Sequence, residues 1–137
     1  MTEALAAGLT HRMEYTVPPE RTVPHILPEA PGFAEMPDVL ATGYMVAIIE
    51  WACVESIKDH LGEDDLTLGT HVDLSHQAPT VPGSTVTIDV TVTHAEGRSL
   101  EFAVEARDEH AVISVGTHKR GVVSRTRFDE RIAAQSR

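Results

Sequence analysis

Three polar residues stand where the surrounding pattern calls for apolar or structural ones. Glu50 interrupts the run Met45–Val54, which is otherwise apolar. A lone ionised carboxylate costs many kcal/mol to bury, so Glu50 is expected to be paired, protonated or solvated in a cleft. His76 falls on the apolar face of an alternating segment made of Leu66, Leu68, Thr70, Val72, Leu74, His76 and Ala78. Thr42 stands where the helical stretch begins. A histidine facing a carboxylate between a sheet and a helix is a general-base pair, and a nearby hydroxyl completes a nucleophile, base and orienter. Each residue also has a structural reading. Glu50 could be tied to an arginine or a backbone group, and His76 could be a satisfied core residue. Thr42 could be a helix N-cap, worth about 1 kcal/mol. Spacing alone leaves the choice open, because residues 42 and 50 lie about 80° apart around an ideal helix.

These side chains must be held by the elements that contain them. Residues 11–17 alternate weakly and are expected to form a first strand. Residues 18–41 form a lid segment, and six prolines at 18, 19, 24, 28, 31 and 37 exclude a long helix or a central strand there. Val23, Ile26, Leu27, Phe33 and Met36 give this segment apolar side chains that pack back on its own domain, covering either the core or a pocket. Residues 42–61 form one helix, with Gly62 past its end. Its apolar residues run all the way round for about two and a half turns, so it must be buried on nearly every side. Residues 66–123 read as four antiparallel strands, broken at Pro79, Pro82-Gly83, Glu96-Gly97 and Asp108–His110. Residues 124–137 form a polar tail, expected to be a frayed helix. The order gives an α+β chain, a single domain over 1–137. A curved antiparallel sheet wraps one long buried helix, and a second copy covers the face the sheet leaves open. That is the hotdog architecture.

Composition narrows the function further. A net charge of −10 with no basic face argues against nucleic acid. No segment reaches the roughly 20 apolar residues of a membrane span. Residues 1–10 lack the pattern of a secretory leader. Cys53, the one cysteine, cannot form an intrachain disulfide and reads as core filler, so a cytoplasmic location is expected. The eight histidines show no metal-ligand spacing, and there is no phosphate loop or dinucleotide fingerprint. Neither a metal nor a cofactor is expected.

Several segments together resemble the fluoroacetyl-CoA thioesterase family. They are Val17-Pro18-Pro19, Thr22-Val23, His25, Phe33-Ala34-Glu35, Ala41–Val46, Glu50-Trp51-Ala52-Cys53, Leu68-Gly69-Thr70, His76, and Gly116-Thr117-His118 with Arg120. The likeness runs from about residue 11 to residue 130. It implies a homodimeric hotdog enzyme that hydrolyses a short acyl-CoA to the free acid and CoA, with Thr42, Glu50 and His76 as the catalytic set. It also implies that Gly69 allows a close backbone approach near the acyl group and that Arg120 helps hold the substrate. Val23, Leu27, Phe33 and residue 36 would cover the acyl pocket. The family carries a phenylalanine gate where this chain has Met36, which bears on selectivity for a fluorinated acyl group rather than on hydrolysis. Two other readings compete with this one. A hotdog hydratase or dehydratase usually places an aspartate and a histidine at the start of the helix, and no Asp–His pair occurs in residues 38–54. A non-catalytic acyl-CoA-binding module would need a regulatory partner domain.

Overall fold

The alternation in the C-terminal half becomes a sheet. The computed structural model describes residues 5–136. Met1–Ala4 and Arg137, the extremes of the expected domain, of the segment read for a leader and of the tail, lie outside the described residues. The first strand, β1, is Thr10–Thr16, followed by a single 3-10 turn and two one-turn helices, α1 (Val23–Ile26) and α2 (Pro31–Ala34). The long helix α3 is Thr42–Ile57, extended by a 3-10 turn through His60. Strands β2 (Asp65–Leu74), β3 (Thr85–Glu96), β4 (Ser99–Arg107) and β5 (Val112–Ser124) follow, and α4 (Arg125–Gln135) closes the chain. All five strands form one antiparallel sheet in the order β1-β3-β4-β5-β2.

Helix α3 lies on the concave face of this sheet. Its Met45, Ile48, Ile49, Ala52, Cys53 and Ile57 are buried against Val86, Ile88, Val90 and Val92 of β3 and Leu100, Phe102, Val104 and Ala106 of β4. Each of these larger aliphatic or aromatic side chains contributes roughly 1.5–3 kcal/mol on burial. A single chain does not bury the helix all round. Gly43, Ala47 and Trp51 stay exposed, and Trp51 keeps 49% of its surface. The tail forms a regular helix, because Ser124 caps Arg127 N–H and the Asp64 carboxylate accepts from Thr126 N–H and both hydroxyls.

Strand β2 departs from the expected alternation. Gly69 pairs with Arg120 and His71 pairs with Lys119, so Thr70 is an extra residue in a β-bulge. Residues directly opposite one another share a face. Thr67 and Gly69 therefore face inward with Val122 and Arg120, while Leu66 and Leu68 turn outward. Past the bulge the parity flips, and Val72 and Leu74 face inward with His118 and Gly116. The sequence pattern placed Leu66 and Leu68 on the same face as His76 because a one-residue bulge leaves no mark on apolar spacing.

Candidate active site

The lid is zipped shut at its base. Thr22 is fully buried, bridges to Leu40, and donates its hydroxyl to Pro19 O at 2.7 Å. Val23 N–H bonds Val39 O at 2.9 Å, and Leu40 N–H bonds Thr80 O at 2.8 Å. These bonds dock the entry of α3 against the segment that follows His76. Gly43 allows the lid to approach: a β-carbon there would lie 2.6 Å from Ile26 Cδ1. The helix N-cap is Ala41, without a side-chain cap bond, and Thr42 is the first helical residue. This corrects the N-cap reading of Thr42 and leaves its hydroxyl free for another partner.

That partner is His76. Thr42 Oγ1 and His76 Nδ1 are 2.7 Å apart. His76 lies just beyond β2 as assigned, but the ladder continues: Ser75 N–H bonds Val115 O at 2.9 Å and Gln77 N–H bonds Ile113 O at 2.8 Å. His76 therefore keeps its inward direction, as the sequence pattern implied. Partial burial lowers its pKa below the ordinary 6.5, so its neutral form prevails near pH 7. A cavity of about 430 Å³ adjoins Thr42, lined chiefly by Val23, Ile26, Phe33, Met36 and Ala41. Leu27 sits on the same lid, largely exposed, and is not among the lining residues.

Glu50 belongs to a second cluster, two helical turns from Thr42. Among the described residues no hydrogen bond joins it to Thr42 or His76. Its Oε2 instead accepts from Arg120 Nη1 at 2.9 Å. Arg120 is buried and directs four of its five N–H donors to partners, the other three bonds being Nε–H to Thr67 Oγ1 at 3.0 Å, Nη2–H to Thr67 O at 2.9 Å, and Nη1–H also to His118 Nε2 at 3.1 Å. His118 is fully buried, with Nδ1 2.8 Å from His71 O. A carbonyl only accepts and a guanidinium only donates, so His118 carries its proton on Nδ1. Gly69 completes the cluster, since a β-carbon there would lie 3.1 Å from Glu50 Oε2 and 3.3 Å from His118 Cε1. Sequence reasoning did not assign Thr67 or His118. Their signal was register: Thr67 falls on the inward face only once the bulge is known, and His118 shares the inward face of β5 with Arg120 and Val122. Cys53 lies behind this cluster, and burial pushes its thiol up to about 12, which makes it an inert core residue. Among the described residues no group of histidine, cysteine and carboxylate side chains could hold a metal ion, and no helix is long and apolar enough to cross a membrane.

A sheet wrapped on one long helix, with a hydroxyl–imidazole pair under a lid, is the hotdog fold of the thioesterase superfamily. A Thermus thermophilus hypothetical protein of that superfamily shares the fold at a TM-score of 0.87 and 24% identity, over 98% of this chain and 96% of its own. The family model for fluoroacetyl-CoA-specific thioesterase matches residues 17–126, and the chain belongs to that family. It is an acyl-CoA thioesterase. The fluoroacetyl-CoA thioesterase of Streptantibioticus cattleyicolor is 39% identical over 96% of this chain and 95% of its own. A solved fluoroacetyl-CoA thioesterase superposes at a TM-score of 0.94 with 39% identity, covering 96% of this chain and 98% of the other. A threonine-to-serine variant in complex with acetyl-CoA superposes at 0.95 with 38% identity, covering 97% and 100%.

Proposed function

We propose that this enzyme hydrolyses a two-carbon or similarly small acyl-CoA, fluoroacetyl-CoA among them, with Thr42, His76 and Glu50 as its catalytic set. The 2.7 Å contact between Thr42 Oγ1 and His76 Nδ1, beside a small apolar cavity, carries the reading. A neutral imidazole accepts the threonine proton as the hydroxyl oxygen attacks the thioester carbonyl carbon. The C–S bond breaks, and the CoA sulfur leaves with that proton. A water, deprotonated by the same imidazole, then cleaves the threonyl ester, and the proton returns to Thr42 Oγ1. Val23, Phe33 and Met36 form the cover over the acyl group, with Leu27 on the outer side of the same lid.

Glu50 takes part through a homodimer. Strand β2 is a sheet edge, and Val72 on it and Trp51 on α3 stay about half exposed. Pairing two β2 edges antiparallel runs the Gly69 end of one strand toward the His76 end of the other. Glu50, Gly69 and Arg120 of a second copy then close the site around Thr42 and His76. Arg120 holds and directs the Glu50 carboxylate, and Gly69 leaves room for the acyl group. The free, buried Cys53 fits a reducing, cytoplasmic setting.

The test is a panel of acetyl-, fluoroacetyl-, propionyl- and longer acyl-CoAs, with release of free thiol followed over time. Rapid turnover confined to the smallest acyl groups is expected. A preference for long chains would overturn the small-acyl reading. Full activity in Thr42→Ala or His76→Ala would overturn the catalytic set.

A further inference from the structure

Two buried side-chain polar atoms lack a hydrogen-bond partner among the described residues: His76 Nε2 and Ser114 Oγ. They belong to residues that face each other. The bonds from Ser75 N–H to Val115 O and from Gln77 N–H to Ile113 O carry the β2–β5 register onward from Leu74 and Gly116, which sets His76 opposite Ser114. On its other side Ser114 pairs with Ala106 of β4, itself fully buried, so its side chain points into the same interior as His76. Ser114 is a hydroxyl at 0% exposure in an otherwise apolar wall. A hydroxyl left unpaired there is costly, as is an unpaired imidazole N–H, and one interaction relieves both.

We propose that Ser114 is a positioning residue for His76: its hydroxyl accepts from the His76 Nε2–H, directly when the side chain turns about χ1 or through one water. The inference rests on His76 being the base. Holding the proton on Nε2 leaves the Nδ1 lone pair pointed at Thr42 Oγ1, which is the tautomer that can take the threonine proton. Without an acceptor at Nε2 the ring gains nothing from that tautomer, and it is free to place its proton on Nδ1 and face Thr42 as a donor. Ser114 touches neither substrate nor Thr42; it acts only through the ring.

The experiment compares Ser114→Ala, Ser114→Thr and His76→Ala in the full chain. Acetyl-CoA hydrolysis is measured, and the His76 ring is observed by nitrogen-15 NMR. Ser114→Ala is expected to lower kcat by roughly tenfold or more with KM little changed, since the loss falls on the proton transfer rather than on binding. Its His76 ring should move from the single Nε2–H tautomer to a mixture, and Ser114→Thr, which keeps the hydroxyl, should restore both readings toward the natural enzyme. The thermal midpoint gives a further sign. Removing a truly idle buried hydroxyl raises it, whereas removing the partner of an imidazole N–H lowers it. A kcat within about twofold of the natural enzyme and an unchanged ring spectrum in Ser114→Ala overturn the proposal. Full activity in His76→Ala overturns the underlying assignment of the base instead, and the ring spectrum still reports whether Ser114 holds its proton.

Discussion

Gly69 and Glu50 meet so closely that a β-carbon on the glycine would stand 3.1 Å from the carboxylate Oε2, tighter than an ordinary contact. The glycine lies on the edge strand and the glutamate on the central helix, so the contact links the two elements at the point where Arg120 also arrives. In Gly69→Ala the carboxylate or the strand must yield by a few tenths of an ångström. We expect the fold to survive and kcat/KM to fall by about tenfold, since small misplacements at such sites are amplified in rate. Steady-state kinetics beside a melting curve separates the two effects. An unaltered rate would show that the glutamate position is not limiting.

Arg120 should matter more to stability than Glu50 does. Its guanidinium is buried and serves four acceptor atoms on three residues, while the Glu50 side chain keeps 36% of its surface in solvent. Arg120→Ala strips partners from His118 and Thr67 as well as from Glu50, and should cost about 3 kcal/mol, the lower end for a broken buried pair because Glu50 can rehydrate. Glu50→Gln keeps an acceptor for the guanidinium and should cost about 1 kcal/mol or less. Denaturant melts of both variants check the ranking, and a larger loss in Glu50→Gln would reverse it.

Burial lowers the pKa of both His76 and His118 below 6.5. Both are therefore neutral in the folded chain near pH 7. As pH falls past 6.5 the unfolded chain takes up protons before the folded one does. The stability contribution is thus complete above about pH 6.5 and is lost as pH drops through the lower folded values. Thermal midpoints should be flat from about pH 7 to 8 and decline below about 6.5. The acid limb of kcat/KM should follow His76, with its midpoint below 6.5. A limb centred above that value would assign the base elsewhere.

The gate offers a test of selectivity. Met36 is 49% exposed at the lip of the lid cavity. A flexible thioether encloses a two-carbon acyl group less rigidly than an aromatic ring, and apolar pockets discriminate by roughly 1–3 kcal/mol per group. Met36→Phe should raise the ratio of kcat/KM for fluoroacetyl-CoA over acetyl-CoA while the proton chemistry stays unchanged. An identical ratio before and after would remove position 36 from the gate.

The unpaired β2 edge and exposed Trp51 lead us to expect a dimer at micromolar concentration in sedimentation velocity. Val72→Asp places a charge on that edge and should shift the population to monomer, with activity falling in step. A fully active monomeric variant would show that one chain carries a complete site.

Much of this was legible in residue order. The meander, the long helix and the proline-stiffened lid follow from periodicity and punctuation, and β3 and β4 bury the very residues their alternation marks. His76 was visible as a polar interruption of an apolar face. Two features were hidden. An N-cap and a first helical residue look identical in sequence, so residue order leaves Thr42 open to either reading, and the structure gives the cap to Ala41. The Glu50–Arg120–His118 chain, with Thr67 on β2, joins residues from three elements and depends on a register that no spacing reveals.

The extra residue at Thr70 also fixes how the chain can vary. Side chains on a regular strand keep odd and even positions on opposite faces, so Gly69 and His76 could not both look inward without one insertion between them. That makes the count of residues in this stretch a stricter constraint than their identity. Loss of a single codon between Gly69 and His76 would keep both residues and still turn one of the two positions out to solvent. A variant shortened by one residue there therefore loses the site even though both of these residues keep their identity.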